Sequence, residues 1–281
     1  MKGLCRLSEI SRSSFYRRMS HPVSRWEREN LHLVEVMRGI HVGDKKSYGS
    51  PNMHKELLSL GYFCGHNRVA RLMRDNGIIS KVTVHFRGLT KAGKRSPVAD
   101  NLLNQCFEVA EPNLVWASDI TYIPTREGFL YLAVVLDLYS RRVVGWGMSG
   151  RLGAELVKDA LRQALGKREV RKGLMHHSDR DGLYSSSTYQ GLLSDNAMVC
   201  SMSRKGNCYD NACVESFFGS LKNEMVAFER FASREEAALR IYEWIEIYYN
   251  RVRRHSTLGY VSPVEYERKN GYANKCVLKI G

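Results

Sequence analysis

Apolar and polar positions alternate in a way that divides the chain near residue 110. Beyond that point Leu114–Ile123 is rich in β-branched and aromatic residues, and Gly128–Leu138 follows as a second apolar run. Arg142–Met148 reads as a third strand after a tight turn at Tyr139-Ser-Arg141. Gly153–Lys167 has helical spacing, with Leu156, Ala160, Leu161, Ala164 and Leu165 facing inward. Leu174–His177 is a short buried strand that runs into Ser178 and Asp179. A helix over Thr188–Asn196 leads to a last strand at Met198–Met202, and another helix begins near Asp210. The order β-β-β-α-β-α-β-α is that of an α/β domain with a mixed sheet. The C-terminal part is helical. Ser233 with Glu236 makes a capping-box pattern, and Ile241, Tyr242, Ile245, Tyr248 and Tyr249 form a helical stripe. Ser262-Pro-Val-Glu265 repeats the cap, with Pro in the first helical position.

Before residue 110 two stretches read as helix-turn-helix units. Residues 1–22 contain a clipped one, Leu7–Arg18. Residues 23–80 contain a fuller one, in which Pro51 opens a helix with an apolar stripe of Met53, Leu57, Leu58 and Leu60. Gly61-Tyr-Phe-Cys-Gly65 supplies the turn, and His66–Asn76 forms the second helix. That helix carries Val69, Leu72 and Met73 on one side and Arg68, Arg71 and Arg74 on the rest, a spacing suited to phosphate and major-groove contacts. Residues 81–110 read as a basic linker containing Lys91, Lys94 and Arg95, and residues 111–270 hold the α/β domain and its C-terminal helices. Residues 271–281 are a tail.

Charge sharpens this division. The chain has 43 Lys and Arg against 29 Asp and Glu, a net of +14. Residues 1–110 hold 19 basic and 9 acidic side chains, and the remainder 24 and 20. A basic N-terminal third points to a polyanion-binding module joined to something else. The seven cysteines are scattered and contain no C-x-x-C pair, which argues against a disulfide framework or structural zinc. No apolar run approaches the ~20 residues of a membrane span. The expected compartment is the cytosol.

Three acidic residues stand out. Asp119 lies inside an apolar strand, Asp179 just past another, and Glu215 on the helix that starts near Asp210. A carboxylate inside an apolar strand costs free energy unless it is paired or metal-bound. On the third element Val214, Phe217, Phe218, Leu221 and Met225 form the packing face. Glu215, Gly219 and Lys222 make an adjacent stripe of carboxylate, side-chain-free gap and cation, a stripe at which Gly219 admits a DNA backbone and Lys222 holds a phosphate. Read as an inert surface instead, the same stripe has no function.

Here the residues reach a family resemblance. Asp119, Asp179 and Glu215 match the DDE pattern of retroviral-integrase-like transposases, with thirty-five residues between the last two and a basic residue, Lys222, seven positions beyond the Glu. The words Trp116-Ala-Ser-Asp-Ile-Thr-Tyr122, His177-Ser-Asp179 and Gly206-Asn-Cys-Tyr-Asp-Asn-Ala212 resemble the OrfB product of bacterial IS-three insertion sequences. So do Tyr248–Pro263, Tyr48-Gly49 and Arg68–Met73, and the match covers nearly the whole chain. The resemblance implies an RNase H-like core behind an N-terminal helix-turn-helix DNA-binding region, with C-terminal helices. It implies catalysis by Asp119, Asp179 and Glu215 holding two Mg²⁺ ions, with Mn²⁺ as a substitute. It also implies supporting places for His177 and Asn211, and DNA contacts that include Arg253 and Arg254. The partners would be element ends and target DNA, a second copy of the chain, and an upstream-frame OrfA protein or fusion. One position departs from the pattern. Asp181 stands where the family usually carries Gly, and this carboxylate either disturbs the metal site or points away. Two other readings stay open beside a transposase: a catalytically decayed DNA-binding protein derived from one, and a nuclease of the same fold without strand transfer.

Overall fold

The computed structural model describes residues 11, 13, 16, 23–44, 46–81, 99–204 and 208–272. The clipped helix-turn-helix expected in residues 1–22 lies almost entirely outside these residues, as do most of the linker and the tail. Two compact units divide the chain at residue 82.

Among the described residues the first unit holds three full helices, α1 (Arg25–Gly43), α2 (Ser50–Ser59) and α3 (His66–Asp75). Leu33, Val34 and Met37 of α1 pack with Met53, Leu57, Val69, Leu72 and Met73 in one core. Apolar spacing alone does not predict α1. Its apolar stripe is thin among many charges, yet its start was marked: Ser24 accepts from Glu27 N–H, and the Glu27 side chain bonds back to Ser24 N–H, a complete capping box. Leu60 leaves the predicted stripe. α2 stops at Ser59, so Leu60 falls on the cap and is exposed. Gly61, at φ +86°, takes the left-handed turn that opens the link to α3.

The second unit is a five-stranded sheet of order β3-β2-β1-β4-β5. The strands are β1 (Val115–Thr125), β2 (Gly128–Asp137), β3 (Arg142–Ser149), β4 (Met175–Ser178) and β5 (Val199–Met202). β1, β2 and β3 pair antiparallel, whereas β4 runs parallel to both β1 and β5. One face carries α4 (Ala154–Lys167) and α5 (Ser187–Asp195), packed on Trp116, Ala133, Val135 and Val144. α4 comes close to β3 because Gly145 and Gly147 leave no side chain in the way: a Cβ on Gly145 would stand 2.1 Å from Ala160 O. The other face carries α6 (Ala212–Glu224) and α7 (Arg234–Glu243), packed on Ala117, Ile123, Leu132, Val134 and Leu136. The expected inward set of α4 gains Val157, and Leu165 is only half-buried.

Beyond α7 the helix widens to a π turn over Trp244–Tyr249. Ile241, Trp244, Ile245, Tyr248 and Tyr249 are buried there, and Tyr242 is 44% exposed with its ring against Trp146. Trp244 therefore replaces Tyr242 in the predicted stripe. The Ser233 cap forms, but the Glu236 carboxylate reaches Ala232 N–H instead of closing the box on Ser233. α8 (Pro263–Lys269) starts at a Ser262 cap and supplies Glu267, which accepts from Ser140 Oγ, Arg142 Nη1 and Arg168 Nη2 at 2.6–2.7 Å.

Candidate active site

The site lies where two parallel strands stop pairing. β4 is hydrogen-bonded to β1 only through the register Val115–Met175 to Ser118–Ser178. β1 continues past that point, paired on its other side to β2, whereas β4 ends. Asp119 and Asp179 are the next residues on the two strands, about one strand spacing apart (~4.8 Å between backbones). Carboxyl ends of adjacent parallel strands open a crevice at the edge of the sheet, the usual location of a ligand site in open α/β folds.

Both carboxyls are half-buried and held by backbone N–H groups. Asp119 Oδ1 accepts from Ile120 N at 2.7 Å, and Asp179 Oδ1 from Asp181 N at 3.0 Å. Burial pushes the Asp119 carboxyl well above its usual range; Asp179 adds to this, and Glu215 and Asp181 add less. Asp179 rises to about 6, through burial first and then the charge of Asp181, against the pull of the Asp181 N–H. Glu215, exposed in the first turn of α6, is raised by partial desolvation alone. Among the described residues no three His, Cys, Asp or Glu side chains are gathered closely enough to cage an ion as they stand. Of the neighbouring carboxylates, Asp179 raises Asp119 the most, ahead of Glu215 and Asp181.

Asn211 ties α6 to this pair. It is the N-cap of α6, is buried, and donates from Nδ2 to Ser118 O at 3.2 Å, next to Asp119. Its Oδ1 has no hydrogen-bond partner. Asp210 lies one residue earlier. It is fully buried and accepts from Arg204, Asn101 and Gln105, bracing the approach to α6, and the Arg204 guanidinium holds its carboxyl well below the usual range. His177 is buried with Nδ1 2.9 Å from Ser201 Oγ and Nε2 3.1 Å from Ser203 Oγ. Burial pulls it down to about 4, so it is neutral at pH 7 and holds β4 to β5 and the segment beyond.

The stripe on α6 is as its spacing implied. Its packing face, Val214, Phe217, Phe218 and Leu221, is buried. A Cβ at Gly219 would meet nothing within 4 Å. Lys222 Nζ lies 5.3 Å from the centre of the Tyr122 ring, and the charge of Asp119 opposes the desolvation that lowers its pKa. Asp181 faces two ways: its Oδ1 accepts from Leu183 N at 2.9 Å, while its charge still raises both Asp119 and Asp179.

The arginines divide. Arg68 is turned inward, onto Asn30 Oδ1 at 2.8 Å and Glu29 at 3.6 Å. Arg71 lies over the Trp26 ring at 5.0 Å, and Arg74 is open to solvent beside Asp75. Arg253 is bound by Glu224 at 2.6–3.0 Å and by Ser220, which joins the segment after the π turn to α6. Arg254 donates to Tyr260 O at 2.8 Å.

Residues 27–86 match the HTH-like domain, and residues 109–208 and 196–263 match two integrase core domain descriptions. An uncharacterised 31 kDa protein of insertion element IS600 from Shigella sonnei is 41% identical over 266 residues, covering 95% of this chain and 98% of its own. Transposase InsF of insertion sequence IS3A from Escherichia coli K12 is 42% identical over 272 residues, covering 96% and 94%. Among solved structures, the HTLV-2 integrase catalytic core with magnesium is similar at 15% identity and a TM-score of 0.43, over 55% of this chain and 96% of that one. With an HTH-like segment ahead of an integrase core, and similarity to InsF over nearly the whole of both chains, the chain belongs to the IS3 family of transposases.

Proposed function

We propose that Asp119, Asp179 and Glu215 are the catalytic carboxylates of a strand-cutting and strand-joining reaction on insertion-sequence ends. The observation that carries this reading is the register of β1 and β4, which brings Asp119 and Asp179 together one residue past the last pair, beneath a helix that presents Glu215. The residues fit a divalent cation. All three donors are hard carboxylate oxygens, without thiol or imidazole, and the raised Asp119 and Asp179 describe a site short of positive charge. Two Mg²⁺ ions, or Mn²⁺ in their place, would supply activation of the attacking oxygen and neutralisation of the leaving one.

The chain's own groups do the rest. Ile120 N–H and Asp181 N–H fix the two Asp carboxyls in orientation, and Asn211 holds the start of α6 against β1. Gly219 leaves room for a DNA backbone alongside Glu215, and Lys222 supplies a cation for a phosphate. Arg71, Arg74 and Arg254 are the remaining candidates for DNA contact. Arg68 and Arg253 act at one remove, by orienting α3 and α6 through their ion pairs. No protein nucleophile is required. The reading places the protein on DNA in the bacterial cytosol, with more than one copy engaged when two element ends are joined.

Labelled element-end DNA incubated with the protein and Mg²⁺ tests this. Cleavage followed by joining supports the reading, binding alone points to a decayed active site, and cutting without joining points to a nuclease.

A further inference from the structure

Trp26 stands in the first turn of α1, 51% exposed, and two guanidiniums of α3 lie over its ring. The Arg71 guanidinium carbon is 5.0 Å from the ring centre and that of Arg68 is 5.7 Å from it. The two arginines are otherwise unlike. Arg68 donates to Asn30 Oδ1 at 2.8 Å and pairs with Glu29 at 3.6 Å, a carboxylate that Arg25 also holds at 3.2 Å. Arg71 has no such acceptor among the described residues, and what meets its guanidinium there is the indole.

A guanidinium laid on an aromatic ring spends a face of its plane, while its N–H groups lie in that plane and stay available. Arg74, one turn further along α3, is a different kind of cation. Its side chain is 78% exposed beside Asp75 at 3.7 Å, on a long stem that suits any phosphate within reach. α3 is the second helix of the HTH-like match, the element that such folds lay in the major groove. The first 110 residues carry 19 basic against 9 acidic side chains, a balance that suits a polyanion. A planar fork held on a ring, with its donors unspent, fits the O6 and N7 acceptors of guanine, whereas a swinging cation reads only charge.

We propose that Arg71 reads a guanine in the major groove of duplex DNA, and that Trp26 is the positioning residue that holds its guanidinium for this contact. Arg68, committed to Asn30 and Glu29, ties the indole to α3 and reads no base. This rests on the DNA-binding reading above.

Selection by the full chain from duplexes of randomised sequence, at one salt concentration, tests it. Affinities of wild type, Arg71→Lys, Trp26→Ala, Trp26→Phe and Arg74→Ala are then compared on the selected duplex and its single base-pair variants. Wild type should demand a G·C pair at one position by about 10–100-fold. Arg71→Lys keeps the charge, so it should bind the variants at that position about as wild type does and lose the demand for G·C. Trp26→Ala should reduce the same demand about two- to fivefold, the size of an exposed cation–π contact, and Trp26→Phe should restore most of it. Arg74→Ala should weaken every duplex alike and leave the selected sequence unchanged. Retention of the G·C demand by Arg71→Lys overturns the proposal. An undiminished demand in Trp26→Ala overturns the positioning role, as does a loss spread over all base pairs of the duplex, the mark of a merely structural part. Wild type that binds every duplex without preference overturns the base reading and leaves DNA binding standing, and wild type that binds none overturns both.

Discussion

Asp119 and Asp179 stand one residue beyond the parallel register pair Ser118–Ser178, so backbone hydrogen bonding sets their separation before any ion is present. Two carboxyls so fixed repel each other, and that cost is built into the apoprotein.

The first consequence is a pH dependence that metal removes. A carboxyl whose native pKa lies above its unfolded value keeps its proton longer in the folded state. Its contribution to stability is full below the ordinary value of 3.8 and is lost as pH rises through about 6, the value for Asp179. Thermal melts without divalent ions should therefore show this loss, and Asp179→Asn should flatten the profile. Mg²⁺ should restore stability above pH 6. A mutant profile parallel to that of wild type would sink the assignment.

Two glycines should respond oppositely to substitution. Gly145→Ala would place a Cβ 2.1 Å from Ala160 O and 2.8 Å from Ala164 Cβ, and should cost about 3 kcal/mol in urea unfolding. Gly219→Ala meets nothing and should gain about 0.5–1 kcal/mol from helix propensity. Gly219→Trp should leave the fold intact while lowering strand transfer on the order of tenfold or more by displacing DNA. Strand transfer at the wild-type rate would leave that position a simple surface.

Glu267→Ala should be among the most damaging changes far from the site. It would leave Arg142 and Arg168, 16% and 9% exposed, without their shared carboxylate. Stranding a buried charge costs about 3–5 kcal/mol, which urea unfolding would register as a lower midpoint with an unchanged slope. A loss below about 1 kcal/mol would place the pair in the range of a surface salt bridge.

Asp181→Asn separates the two expectations for Asp181, a carboxylate that disturbs the metal site or one that points away. The amide oxygen can still accept from Leu183 N–H, so the turn should survive, and without the charge Asp179 should titrate lower. Strand transfer within about threefold of wild type, a difference under 1 kcal/mol, would make Asp181 a turn residue. A large gain in activity would make it an inhibitor of the metal site.

The strands, α4, α5 and α6 were legible because their apolar periods are strong and their ends are marked by Gly, Ser or Asp. The proposed triad was drawn from spacing and resemblance, and the open position at Gly219 from helical geometry. Other features depend on three-dimensional proximity. Tyr242 has the right residue type for the α7 stripe, but the inward spacing selects Trp244. Asp210 lay inside a recognised word, and its brace needs Asn101 and Gln105, more than a hundred residues away in sequence. The pairing of Arg253 with Glu224 joins residues 29 positions apart and has no signature in the local sequence.

Strand transfer of labelled element-end DNA with Mg²⁺, measured for wild type, Asp119→Asn and Glu215→Gln alongside DNA binding, tests the central claim most directly. Wild type should cut and join, and both variants should bind DNA with near wild-type affinity yet neither cut nor join. Joining by Asp119→Asn at a rate near that of wild type would contradict the account.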